Sequence, residues 1–143
     1  MERTATAVWN GGLKDGKRSI STQSTVLSDT PYSFFTRFEN GKGTNPEELI
    51  AAAHAGCFTM ALSAQLGATQ FRPETLRTKA TVSLEKLEAG WTISKIHLDV
   101  TAKIGGISAT AFEDAAIGAK ENCPVSRPLK AEITMAAHLE QAA

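Results

Sequence analysis

The most reactive side chains in this sequence of 143 residues are its two cysteines, Cys57 and Cys123. A free thiol with a pKa near 8.5 is only about 3% ionised at pH 7, and a drop of two units raises that to about three quarters. A reactive cysteine therefore needs a cation beside it. Arg37 is the candidate: it lies in an aromatic segment (Phe34, Phe35, Phe38) directly upstream of the helix expected to carry Cys57. Glu47 is placed to hold Arg37 in a bidentate pair and aim it at the sulfur. Glu47 and Cys57 are ten residues apart, which on one straight helix is about 15 Å. Glu47 must then act through Arg37, or a second subunit must complete the site. His54 precedes Cys57 by three residues and shares its helix face, so a Cys–His nucleophile pair of the hydrolase kind is open. The plainer readings stay open too. Both cysteines can be small buried hydrophobes in a non-catalytic binding protein, Arg37 a solvated charge, Glu47 a first-turn helix charge, and His54 a hydrogen-bonded core residue. There is no Cys-x-x-Cys, and His54, His97 and His138 are scattered, so no metal site is expected.

The elements that must position these residues are readable in outline. Residues 3–22 form an N-terminal hairpin with a long turn, and the phenylalanine-rich segment that follows Pro31 packs on something large. Thr44-Asn45-Pro46-Glu47-Glu48 is a helix start, with Asn45 as cap, Pro46 in the first helical position and Glu48 closing a capping box, or with Thr44 and Glu47 in the alternative register. That helix is predicted over 46–66, stopping at Gly67; being apolar all round, it belongs at the centre of the molecule. Strands are predicted over 75–88 and 91–104 around an Ala89-Gly90 turn, with a bulge near Ser94-Lys95 where the apolar phase shifts. A second helix, opened by Thr110-x-x-Glu113, covers 110–122 and ends before Pro124; a final strand covers 129–139. The chain reads as one α+β domain, residues 1–143, with an antiparallel sheet.

Composition narrows the function classes. Fifteen Lys+Arg balance fifteen Asp+Glu, which leaves no basic footprint for nucleic acid and no polybasic membrane contact. Hydrophobic residues make up 42% and charged residues 21%, the balance of a soluble globular protein. The eighteen residues from Leu49 to Leu66 carry no formal charge, but they are rich in Ala, Gly, Thr and Ser and fit a buried helix better than a membrane span. The N-terminus shows no apolar signal core, so a cytoplasmic protein with free thiols is expected.

Several motifs closely resemble the osmotically inducible protein C (OsmC) family. They are Thr36-Arg37-Phe38-Glu39, the run from Gly43 to Ile50 containing Asn45-Pro46-Glu47-Glu48-Leu49, and the run from Ala52 to Leu62 around Cys57. Asn122-Cys123-Pro124-Val125-Ser126 and Leu129 to Thr134 resemble its second cysteine motif. The related organic hydroperoxide resistance family shares the two-cysteine plan. The resemblance implies an intertwined homodimer whose sheets wrap around central helices, with active sites at the subunit interface. It implies a thiol peroxidase acting on organic hydroperoxides, with Cys57 as attacking and Cys123 as resolving sulfur, Arg37 and Glu47 as supporting residues, and no cofactor or metal. It also implies recycling by an external dithiol of small or lipoyl type. Phe34, Phe35, Phe38 and Phe58 are then candidates either for the core or for a pocket holding the organic part of the peroxide.

Overall fold

A computed structural model describes residues 1–141; the last two residues of the predicted domain lie outside the described residues. The chain forms two compact units that divide within one helix, between Leu49 and Ile50.

In the N-terminal unit, β1 (Ala5–Asn10) and β2 (Lys17–Thr22) form the predicted hairpin, in register from Ala5↔Thr22 to Asn10↔Lys17. A third antiparallel strand, β3 (Thr30–Ser33), joins the other edge of β2. The phenylalanine-rich segment is a short helix, α1 (Phe34–Phe38), fixed by a reciprocal capping box. The Thr36 N–H donates to Ser33 Oγ at 3.2 Å, and the Ser33 N–H donates to Thr36 Oγ1 at 2.8 Å.

The long helix, α2 (Pro46–Ala68), starts where the sequence places it: Asn45 Oδ1 accepts the Glu48 N–H at 2.8 Å. The Glu48 carboxylate accepts from Thr44 Oγ1 at 3.0 Å, whereas a capping box would turn it to the cap residue's own N–H. At the other end the helix runs through Gly67. The left-handed residue is Gln70 (φ 66°), and the Phe71 N–H closes back on the Leu66 carbonyl at 3.0 Å.

The unit from residue 50 onward holds the main core. Four residues of α2 at fourfold spacing, His54, Phe58, Leu62 and Leu66, are fully buried. Ala52, Ala53, Gly56, Met60 and Ala64 are exposed, so within the protomer one face of this apolar helix is covered and one is not. β4 (Pro73–Leu87) and β5 (Gly90–Ile104) form a long hairpin. Ser83 pairs with Lys95 and Leu84 with Ile93, which leaves Ser94 as the extra residue of the predicted bulge. Beyond it, Ile96, Leu98, Val100, Ala102 and Ile104 alternate into the core. α3 (Ala109–Asn122) is capped by Ser108, which accepts the Ala111 N–H at 3.1 Å; the Thr110/Glu113 start read from the sequence lies inside the helix. Phe112, Ala116, Ala119 and Cys123 continue the core.

β6 (Glu132–Glu140) pairs with β5 in parallel, from Lys95↔Glu132 to Lys103↔Glu140. This sheet, ordered β4-β5-β6, is therefore mixed, and the antiparallel sheet expected from the sequence holds only for its first pair and for the N-terminal sheet. The reason is the connection: α3 carries the chain back past β5 as a crossover, and a strand delivered that way runs parallel. β6 begins three residues later than predicted because a turn follows Cys123, closed by the Arg127 N–H on the Cys123 carbonyl at 3.2 Å.

Candidate active site

The N-terminal unit brings two of the four predicted residues together. Arg37 sits in the last turn of α1 and Glu47 in the first turn of α2. Arg37 Nη2 donates to Glu47 Oε1 at 2.8 Å, and Arg37 Nε donates to Oε1 and Oε2 at 3.1 and 3.3 Å. The carboxylate is buried, while the guanidinium remains 37% exposed, so the pair has one free side. Two side-chain bonds of Asn45 fix the geometry: Nδ2 donates to the Thr36 carbonyl of α1 at 3.0 Å, and Oδ1 caps α2. A cavity of about 300 Å³ opens beside the guanidinium, lined by Trp9, Leu13, Tyr32, Phe34, Phe38 and Pro46. The Arg37 guanidinium carbon stands 5.3 Å from the Phe38 ring centre, and the Phe34 and Phe38 rings are 4.8 Å apart. Of the four phenylalanines in question, Phe34 and Phe38 line this cavity and Phe58 is core. Phe35 is exposed and meets Phe34 edge-on.

The second unit brings the other two together. Both cysteines are free thiols, Cys123 fully buried and Cys57 partly so, and their sulfurs share a hydrogen bond. Cys57 comes from the middle of α2, and Cys123 is the C-cap of α3, held by its N–H on the Ala119 carbonyl at 2.9 Å. Pro124 removes the next backbone donor and turns the chain, so that the Val125 and Ser126 N–H groups point back at the sulfurs.

The electrostatics of the pair differ from the expectation. Burial is the largest influence on both thiols and raises each. At Cys57 the bond to Cys123 adds to it and only the Val125 N–H opposes, so this thiol stands above its ordinary value. At Cys123 the Ser126 N–H, the Cys57 thiol, the Ser126 hydroxyl and the Val125 N–H together outweigh burial, so this thiol stands below it. Within this unit the sulfur best able to hold negative charge is thus Cys123. Among the described residues of this unit, no guanidinium acts on Cys57.

His54 does not pair with Cys57. Its Nε2 lies 2.7 Å from Ser126 Oγ, and its Nδ1 is buried without a partner among the described residues. Burial holds its pKa below the ordinary 6.5, so the ring is neutral at pH 7. The hydrolase reading thereby loses its general base. Ser126 is the residue that the sequence reading did not single out. The available signal was a hydroxyl three residues after a cysteine, across a proline turn. Elsewhere, His97 meets Thr134 at 2.6 Å and His138 meets Asp99 at 3.2 Å.

Comparison with known proteins identifies the family. Residues 39–138 match the family described as OsmC-like protein. The chain is 51% identical to peroxiredoxin OsmC of Escherichia coli (strain K12) over 135 residues, 94% of each protein. It is 37% identical to organic hydroperoxide resistance protein OhrA of Bacillus subtilis (strain 168) over 92 residues, 64% of each. The crystal structure of the organic hydroperoxide resistance protein OhrB of Bacillus subtilis superposes with a TM-score of 0.71 at 23% identity, covering 98% of both chains. An organic hydroperoxide resistance protein from Elizabethkingia anophelis superposes with a TM-score of 0.71 at 21% identity, covering 99% of this chain and 96% of that one. By these matches over most of its length, this chain belongs to the OsmC-like protein family.

Proposed function

We propose that this protein is a cysteine-based peroxidase that reduces organic hydroperoxides to alcohols, and hydrogen peroxide more weakly, as an antioxidant in stress defence. The observation that carries the reading is two free thiols in hydrogen-bond contact, one on a helix and one at a helix end beside a proline turn, in a chain half identical to a protein named peroxiredoxin.

Cys57 attacks the distal oxygen of the peroxide as a thiolate. The O–O bond breaks, the alcohol leaves, and Cys57 becomes a sulfenic acid. Cys123 then attacks the Cys57 sulfur, giving a 57–123 disulfide and water. An external dithiol of small or lipoyl type restores both thiols by exchange. Arg37, aimed by Glu47, supplies the positive charge that the thiolate requires and a donor for the peroxide as charge develops. The need for such a charge is clear from the Cys57 surroundings, which by themselves favour the neutral thiol. The apolar cavity beside Arg37 suits the organic part of the substrate. We place the protein in the cytoplasm as a homodimer acting as one domain per chain. The uncovered face of α2 supports a second copy as its cover: it is apolar, it carries no charge, and it lies on the same helix as Cys57.

The test is oxidation of the reduced protein by an alkyl hydroperoxide, with mass analysis of the product. A 57–123 bridge formed at a rate set by hydroperoxide concentration is the expected result. Cleavage of ester substrates without any need for Cys123 would contradict it.

A further inference from the structure

The peroxidase reading leaves one buried group without a task. His54 is fully buried on α2, with Nδ1 unpartnered among the described residues and Nε2 at 2.7 Å from Ser126 Oγ. Ser126 is buried as well, and its hydroxyl bonds the Cys123 sulfur, which in turn bonds Cys57. Four side chains thus form one line: His54, Ser126, Cys123, Cys57. The direction of its bonds follows from what each group can offer. A hydroxyl has one proton to donate. A proton on Nδ1 would leave a buried donor with nothing to receive it, whereas a bare Nδ1 leaves only an unused lone pair. The neutral ring therefore carries its proton on Nε2 and donates it to Ser126 Oγ. That occupies the oxygen as acceptor and turns its own proton to the sulfur.

We propose that His54 and Ser126 form a donor relay that commits a hydroxyl proton to Cys123 Sγ and so makes Cys123 the resolving nucleophile. This rests on the peroxidase reading for its purpose. Ser126 touches a reacting atom; His54 is a positioning residue that acts through it. In the step served, the Cys123 thiolate attacks the sulfur of the Cys57 sulfenic acid. The S–S bond forms as the S–O bond breaks, and hydroxide leaves with that bond's electron pair. The proton that Cys123 released on ionising converts the hydroxide to water. The electron pair that Cys123 supplies becomes the S–S bond, so Cys123 is oxidised as the sulfenic sulfur is reduced and both end at the disulfide level.

Two measurements test the relay. The first is a thiolate titration of Cys123 by ultraviolet absorbance in the Cys57→Ser protein. Ser126→Ala in that background should lower the thiolate fraction about tenfold at a pH below the midpoint, and Ser126→Thr should restore it. His54→Leu should lower it and His54→Gln, which keeps an N–H, should recover it. Thermal melts confirm that each variant is folded. The second is rapid quench of the protein with Cys57 intact, comparing disulfide formation with sulfenic acid formation. The ratio of the two rates should fall about tenfold in Ser126→Ala. A midpoint unmoved by both Ser126→Ala and His54→Leu in folded protein would overturn the relay, as would a failure of Ser126→Thr to restore it. The titration uses no hydroperoxide, so it decides the relay even if the wild-type protein proves unreactive toward peroxide, an outcome that would instead sink the peroxidase reading.

Discussion

At the residue scale, the chemistry depends on which sulfur is anionic and when. Burial and the bond to Cys123 keep Cys57 protonated in its own unit, so attack on peroxide depends on a cation brought to it. Under the proposed mechanism, Arg37→Ala should slow sulfenic acid formation about ten- to hundredfold at pH 7. Glu47→Gln should do the same less strongly, because it loosens the guanidinium without removing it. Both effects are read from stopped-flow rates across a pH series. Cys123→Ser should still form sulfenic acid but no disulfide, and mass analysis should find Cys57 driven on to sulfinic acid. His54 carries a stability prediction. Its folded pKa lies below the ordinary 6.5, so the unfolded chain binds the extra proton first as pH falls. The contribution of the neutral buried ring is present above pH 6.5 and lost as pH falls through the folded value. Urea midpoints should accordingly drop between pH 7.5 and about pH 5.5, and His54→Gln should remove part of that drop.

At the element scale, α2 does two jobs: its first turn holds Glu47 and its middle holds Cys57. Asn45 joins the first job to α1, so Asn45→Ala should cost about 1 kcal/mol of stability. It should also slow the first step by less than Arg37→Ala does. Leu62→Ala should cost about 2–5 kcal/mol in denaturant unfolding, because Leu62 is fully buried within the core of the second unit. What was legible in the sequence follows this division. Local signals carry the hairpin at 3–22, the bulge near Ser94-Lys95 and the helix end before Pro124, and of the two cap registers open at Thr44 and Asn45 the structure takes Asn45. Elsewhere, signals with two close candidates were misplaced. Ser108 caps α3 in place of Thr110, and Gln70 takes the left-handed stop that Gly67 seemed to offer. The direction of β6 was not legible, because alternation along a strand has the same period whether its neighbour is parallel or antiparallel. Arg37 and Glu47 could be paired from the sequence because a guanidinium just upstream of a helix and a carboxylate in its first turn suit a bidentate pair, although a solvated Arg37 and a first-turn charge at Glu47 stayed open. Ser126 was passed over because a serine in a turn has many uses, and only the fold brings it to His54 across 72 positions.

At the scale of the whole molecule, the notable feature is that α2 is apolar on both sides but covered on one. Much of its length is uncharged, yet Ala52, Ala53, Gly56 and Ala64 are exposed. Met60, at 76% exposure, stands at the middle of the uncovered face. A second copy of the chain is the expected cover, and zero net charge offers little repulsion against it. Met60→Asp should shift the protein from dimer toward monomer in sedimentation and reduce peroxide turnover with it. Partition of the wild-type protein into vesicles instead of dimerisation would speak for a different cover. The chemistry of the assembled molecule is tested most directly by mixing fully reduced protein with an alkyl hydroperoxide in stopped flow and mapping the product by mass. The expected result is second-order oxidation of Cys57 followed by a bridge to Cys123, absent in Cys57→Ser. Wild-type rates in Cys57→Ser, or two thiols left unoxidised in the wild-type protein, would contradict it.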